Sequence, residues 1–203
     1  VEQKDMNIKS LIAKEIKDFS VAPLYSFEIN SNSIVYKIAS AKYPLLEKFM
    51  DINQAIALKE SRAKYLSNEP RGEAFKVIDG RDIGKYSMRW NGIYLEYRQE
   101  AIHSCKRIDI FLTNEKLFCR RVSSSIMCSL DDEQLFALNT LVVLNIKIDS
   151  AFSIRYLLGL INSKLLNFFY KNKYKSTKRV FSEIQARTLG KLPIASTNNQ
   201  KQI

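Results

Sequence analysis

Leu141-Val142-Val143-Leu144-Asn145-Ile146-Lys147-Ile148 and, after a short gap, Ser153-Ile154-Arg155-Tyr156-Leu157-Leu158-Gly159-Leu160-Ile161-Asn162-Ser163-Lys164-Leu165 decide the fold class. The first run is short and rich in apolar and β-branched residues, the signature of a strand. In the second, Ser153 is suited to cap a helix, and Ile154, Leu157, Leu158, Ile161, Leu165 and Phe168 recur at intervals of three and four. That spacing predicts an amphipathic helix over 153–170 whose apolar stripe packs on a sheet containing 141–148. A strand followed directly by a helix that must cover it points to an α+β domain.

Upstream, the pattern is β-like. Residues 75–78, 93–97, 108–112, 117–122 and 125–130 form short β-branched or aromatic runs, punctuated by Asp79-Gly80, Gly84, Asn91-Gly92 and Thr113-Asn114. A curved, mainly antiparallel sheet packed against helices is expected. The first 44 residues read differently. Ile8, Leu11, Ile12, Ile16 and Phe19 place a helix over 6–19, and the alternating residues at 25–29 and 34–38 predict a helix-and-hairpin connector. Pro44 is placed to open a further helix over 45–50, whereas 52–58 fits a helix or a strand.

Composition excludes several classes. Of 203 residues, 46% are hydrophobic and only six are Gly and four Pro, which rules out a disordered or collagen-like chain. The longest apolar stretch, 154–170, is interrupted by Arg155 and Lys164, so no membrane-spanning helix is expected, and residues 1–19 lack the apolar core of a secretory signal. A cytoplasmic location is the corresponding expectation. Cys105, Cys119 and Cys128 form an odd set without paired CxxC turns and read as reduced thiols. Val1 stands where a start Met would, which fits a piece of something longer.

The net charge of +11 is unevenly spread. Residues 1–70 hold 10 basic and 9 acidic side chains, 71–150 hold 12 and 11, and 151–203 hold 10 and 1. Lys171, Lys173, Lys175, Lys178 and Arg179 fall within nine positions, beside Phe168, Phe169, Tyr170 and Tyr174. Clustered cations gain affinity for a polyanion by displacing its condensed counterions, so nucleic acid is the natural partner; solvated surface and an anionic membrane are the other readings of such a run.

Enzyme constellations are missing. The chain has no GxGxxG, P-loop, HExxH or GxSxG motif, and its single histidine, His103, has no local mark of a catalytic base. His103, Cys105, Cys119 and Cys128 lack zinc-knuckle spacing. Asp5 with Glu15 and Lys17 superficially copies a Mg²⁺-dependent nuclease, but it lies in a helical pattern where that chemistry uses a strand. No catalytic residue, metal ligand or cofactor site is assigned to this chain.

The segments Gly80-Arg81-Asp82-Ile83-Gly84-Lys85-Tyr86, Lys116-Leu117-Phe118-Cys119-Arg120-Arg121-Val122, Leu138-Asn139-Thr140-Leu141, Tyr156 through Leu165, Phe181-Ser182-Glu183-Ile184 and Leu192-Pro193-Ile194 follow one another in a familiar order. Together they resemble the TaqI-like C-terminal specificity domain of adenine-specific DNA methyltransferases and fused restriction-modification enzymes. The resemblance covers roughly residues 45–195. It implies a target recognition domain that grips double-stranded DNA and reads the recognition sequence, while a separate methyltransferase domain of the same parent chain binds S-adenosylmethionine and methylates an extruded adenine. The [DN]PP[YF] and cofactor motifs of that catalytic domain are absent from this chain. Residues 1–44 then read as a connector or tail from the missing domain, 45–195 as the recognition domain, and 196–203 as a disordered tail.

This frame assigns candidate DNA-binding residues. Arg81, Lys85 and Arg89 flank a Gly-containing turn from which long basic side chains can reach phosphates or guanine edges, although Arg81 can equally pair with Asp79 or Asp82. Arg120 and Arg121 are consecutive on a predicted strand, so they point to opposite faces and one is structural. Ser123 and Ser124, with Ser125, form a polar turn suited either to base or phosphate contacts or to a plain hairpin loop. Lys171, Lys173, Lys175, Lys178 and Arg179 have no acidic neighbour before Glu183 and are assigned to phosphates. A Mg²⁺-dependent nuclease domain and an RNA-binding or assembly module are the alternatives.

Overall fold

All side chains from Leu141 to Asn145 are buried, because their strand is covered on both faces. The computed structural model describes residues 33–174 and 183–196. Helix α1 (Ser33–Ser40) leads into ten strands: β1 (Met50–Gln54), β2 (Ala57–Leu58), β3 (Leu66–Ser67), β4 (Ala74–Ile78), β5 (Tyr94–Glu96), β6 (Ile102–Ser104), β7 (Lys116–Arg120), β8 (Cys128–Asp131), β9 (Phe136–Ala137) and β10 (Leu141–Ile146). Helices α2 (Ile154–Asn162), α3 (Lys164–Lys173) and α4 (Ala186–Leu189) follow.

The main sheet has the order β1-β10-β7-β8 and is antiparallel throughout. A second sheet, β3-β5-β4-β9, contains one parallel pair, β4 with β9, and β2 pairs with β6. Side-chain alternation divides the interior. Val142, Leu144, Leu117, Cys119 and Cys128 face a core shared with α2, α3 and α4, whereas Leu141, Val143 and Phe118 face a second core beneath the smaller sheets. A strand enclosed in this way reads as a continuous apolar run, as 141–146 does. The α+β architecture expected from the sequence is therefore present. Among the described residues, no helix is long and apolar enough to cross a membrane.

Several local expectations require correction. Residues 34–38, read as extended, lie inside helix α1, which packs against α3 and buries Val35 in the main core; tertiary contact outweighs the β preference of Ile34, Val35 and Tyr36. The helix expected at 45–50 is a single 3-10 turn over Leu46–Lys48. Leu46 N donates to Leu192 O and Ile194 N donates to Pro44 O, so the chain's distal end draws this segment into a bridge and then into β1. Residues 52–58 supply strand rather than helix. Residues 108–112 form a turn, because Phe111 folds inward and stacks on Phe136 with ring centroids 4.8 Å apart.

The helix over 153–170 is two helices. Ser153 caps the first, accepting from Tyr156 N at 3.2 Å, and Ser163 caps the second, accepting from Leu166 N at 3.1 Å. Ser163 has extended backbone, which rotates α3 out of phase with α2. Leu166, Phe169 and Tyr170 therefore enter the core, and Leu165 and Phe168, placed on the apolar stripe by their spacing, are 53% and 37% exposed. The helix read at 6–19, the extended run at 25–29 and the Asp5, Glu15, Lys17 set lie outside the described residues.

Candidate nucleic-acid interface

Strand β8 is an outer strand of the main sheet, and side chains occupy its free edge. Asn162, the last residue of α2, accepts from Cys128 N at 2.9 Å through Oδ1 and donates to Cys128 O at 2.8 Å through Nδ2. Asn167 of α3 accepts from Ile126 N at 2.6 Å and turns its amide group back to Ser163 O at 3.0 Å. The two asparagines thus take the place of a neighbouring strand at Cys128 and Ile126. The pair Asn162-Ser163, expected to satisfy local backbone at a bend, reaches much further: Ser163 acts locally, and Asn162 binds a residue 34 positions away.

A tight hairpin is fastened at the same point. Ile83 bridges Met88, and Gly84 N donates to Ser87 O at 2.9 Å. A Cβ at Gly84 would lie 2.7 Å from Ser87 Oγ, so a larger residue there would make the Ser87 side chain turn aside. Tyr86 N donates to Cys128 O at 3.0 Å, and Lys85 Nζ donates to Asn162 O at 3.0 Å. Tyr86 has a φ of 59°, a left-handed conformation that costs a side-chain-bearing residue about 1 kcal/mol or more.

The base of the hairpin is held by a polar cluster. Asp79 and Asp82 close a capping box around the 3-10 turn Gly80–Asp82. Gly80 N also donates to Thr140 Oγ1 at 2.9 Å, Thr140 donates to Asp79, and Arg62 bridges Asp79 at 2.5 Å and Asn139 Oδ1 at 2.9 Å. Burial alone pushes the Asp79 carboxyl up, but the bonds from Thr140, Gly80 and Arg62 outweigh it and hold the carboxyl below its ordinary range. Asp82 accepts from Asn91 at 3.1 Å. These acids are engaged within the fold, and Arg81 pairs with neither; Arg81, Lys85 and Arg89 are exposed.

The two consecutive arginines diverge. Arg121 donates to Asn139 O at 2.6 Å and to Glu183 Oε2 at 2.7 Å, with its side chain only 16% exposed. Arg120 makes one bond to the neighbouring Val122 O at 3.1 Å and stays at the surface. Of the two, Arg121 is therefore the structural one. Ser123 is buried and accepts from Ser125 N at 3.3 Å, whereas Ser124 is exposed.

The turn at 123–125 forms one wall of a cleft of about 310 Å³, and Asn167, Phe168 and Lys171 of α3 form another. Lys171 is exposed, and Lys173 lies 5.6 Å from the Phe169 ring centroid. Lys175, Lys178 and Arg179 lie outside the described residues. The structure thus groups Lys85 with the β8 edge, and Ser123, Ser124 and Lys171 around the adjoining cleft.

Sequence reasoning missed Arg62, Thr140, Asn162 and Asn167 as organisers of this surface. The one available signal was a polar residue, Asn162, beside Ile161 on the buried face of an otherwise apolar helix. His103 and Cys105 do not join Cys119 and Cys128, which lie in the core on the helix side of the main sheet, whereas Cys105 packs under the smaller sheets. Among the described residues, no three His, Cys, Asp or Glu side chains converge as metal ligands.

Comparison with protein families finds that the model described as the TaqI-like C-terminal specificity domain matches residues 75–194. No curated protein matches the chain. Among solved structures, the chain is similar to the HsdS subunit from Thermoanaerobacter tengcongensis, with 14% identity and a TM-score of 0.41. That similarity covers 77% of this chain and 40% of the other, so the present chain spans less than half of that subunit.

Proposed function

This chain belongs to the TaqI-like C-terminal specificity domain family, and from that premise we propose that it is the target recognition module of a restriction-modification adenine-N6 DNA methyltransferase. Its ligand is double-stranded DNA, and its working partner is a methyltransferase domain of the same parent protein. That domain would hold S-adenosylmethionine and supply the chemistry; no residue of this chain is assigned to the cofactor.

The observation that supports this reading best is the meeting of basic and polar groups at the β8 edge. Lys85 Nζ donates to Asn162 O, Asn162 holds Cys128, Ser123, Ser124 and Lys171 line the adjoining cleft, and Arg81 and Arg89 are exposed on the same hairpin as Lys85. The acids nearest the hairpin turn, Asp79 and Asp82, are occupied by capping and by Arg62 and Asn91, so the hairpin cations are left to an outside anion. In this reading Lys171, Lys173, Lys175, Lys178 and Arg179 hold phosphates and set the register, while Arg81, Lys85, Arg89, Arg120 and Ser124 approach base edges and the buried Ser123 holds the turn through Ser125 N. Arg121 contributes indirectly by fixing the strand end that presents Arg120. The module positions the duplex so that the target adenine can be extruded toward the catalytic domain.

Fluorescence anisotropy with a random-sequence duplex pool at several salt concentrations tests the reading. Binding should weaken steeply with salt, and Lys171→Ala should reduce the slope of log K against log salt by about 0.9, the value for one lost phosphate contact. Replacing all five basic residues between 171 and 179 should abolish most of the remaining dependence. Affinity indifferent to salt, or a preference for structured RNA over duplex DNA, would overturn the proposal.

A further inference from the structure

Tyr86 stands at the tip of the hairpin with 58% of its surface exposed, between Lys85 and Ser87. Among the described non-glycine residues with a left-handed backbone, it is the only aromatic one. Glycine or asparagine at this position would relieve the backbone strain and remove a large apolar ring from water. Neither stability nor solubility therefore explains a tyrosine here.

The surroundings make the tip rigid while leaving the ring outside. The Tyr86 amide is tied to Cys128 O, the preceding Lys85 is tied to Asn162 O, and the Gly84 turn closes on Ser87 O. Cys128 is itself gripped by Asn162. Strain retained in a rigidly supported position is characteristic of a part pre-set for a ligand. An exposed aromatic ring next to the exposed Lys85 suits nucleic acid, whose bases offer flat faces for stacking and whose edges and backbone accept from cations.

We infer that Tyr86 is the side chain this domain drives into the duplex, stacking its ring at an opened base step while Lys85, Arg81 and Arg89 of the same hairpin meet the neighbouring base edges. The inference rests on the DNA-recognition reading and adds a stacking residue to it. Side chains that enter a base step must unstack it, and the cost falls where a mismatch has already weakened the stack.

The test compares the full 203-residue chain with its Tyr86→Ala, Tyr86→Phe and Tyr86→Gly variants on intact duplexes of random sequence and on the same pool with a central mismatch. The parent chain should bind mismatched duplexes about tenfold more tightly, a difference of about 1.4 kcal/mol. Tyr86→Ala and Tyr86→Gly should lose that preference and keep salt-sensitive binding to intact DNA, and Tyr86→Phe should retain it. Equal preference in the parent and Tyr86→Ala, or no preference in the parent, overturns the stacking role and leaves the DNA-recognition reading standing. Failure of every form to bind either duplex overturns both.

Discussion

The Asn162 side-chain amide and the Cys128 main chain form a reciprocal pair of hydrogen bonds, 2.9 Å and 2.8 Å long, that joins the end of α2 to the edge of β8. Asn162 is 3% exposed, so no water can readily replace it. Cys128 O has a second donor in Tyr86 N, whereas Asn162 Oδ1 meets Cys128 N from the side on which β8 has no neighbouring strand.

Asn162→Leu should consequently strand the Cys128 amide and lower stability by roughly 1–3 kcal/mol. Asn162→Asp should also be damaging, because it keeps the acceptor but sets a carboxylate oxygen against the Cys128 carbonyl. Urea unfolding with an unchanged m value reads this directly. A loss below about 0.5 kcal/mol for Asn162→Leu would show that the clamp contributes nothing to stability.

Lys116 and Asp131 form an ion pair with both side chains fully buried. Lys116 also donates to Phe111 O at 2.6 Å, and Asp131 accepts from Glu133 N at 3.2 Å and Leu135 N at 3.1 Å. Burial lowers the Lys116 pKa and raises that of Asp131, in each case against the pull of the partner. Lys116→Met should cost about 3–5 kcal/mol, because it leaves a buried carboxylate uncompensated. Adding Asp131→Asn should recover part of that loss, and a double-mutant cycle in thermal unfolding should give a coupling of at least about 1 kcal/mol. Additive effects would contradict the pairing.

Asp79 makes stability depend on acid pH. Its carboxyl pKa is lowered in the fold, so its contribution is complete above the unfolded value of about 3.8 and is lost as pH falls below that toward the folded value. Asp79→Asn should cost about 1–2 kcal/mol at pH 7, from loss of the charge-assisted bond to Arg62. The variant and parent should converge in urea midpoint as pH drops below 3.8. A gap that persists unchanged at low pH would place the stabilisation elsewhere.

Arg120 and Arg121 should separate binding from folding. Arg121→Ala loses the bonds to Asn139 O and Glu183 and should destabilise the domain by about 1.5–3 kcal/mol. Arg120→Ala should change stability by less than about 0.5 kcal/mol and weaken duplex binding. Parallel differential scanning calorimetry and anisotropy titrations decide it, and a reversal of the two effects would exchange the assigned roles.

Local periodicity made the central strand and the first of the two helices legible, because burial on both faces of β10 writes an unbroken apolar run and burial of one face of α2 writes a 3.6-residue stripe. The family motifs were equally visible in one dimension. Their contacts were not. Gly80 of one motif meets Thr140 of another, Arg121 meets Asn139 and Glu183, and Leu192 and Ile194 bond outside the motifs to Leu46 and Pro44. Several of the segments bind one another in the fold, and spacing along a chain does not report such pairings.

The phase of α3 shows the same limit from the other direction. One capping serine rotates every residue after it, so Leu165 and Phe168 leave the stripe and Leu166 and Phe169 replace them.

The sequence by itself determined that this is an α+β domain, placed β10 and the start of α2, located the excess positive charge and carried the family motifs. Only tertiary structure decided that Arg121 is internal and Arg120 external, that Asn162 completes a strand 34 residues away, and that Tyr86 is held outward at the hairpin tip. Periodicity and charge are properties of neighbours along the chain. A hydrogen bond between a side chain and a distant backbone depends instead on which elements the packed core brings together.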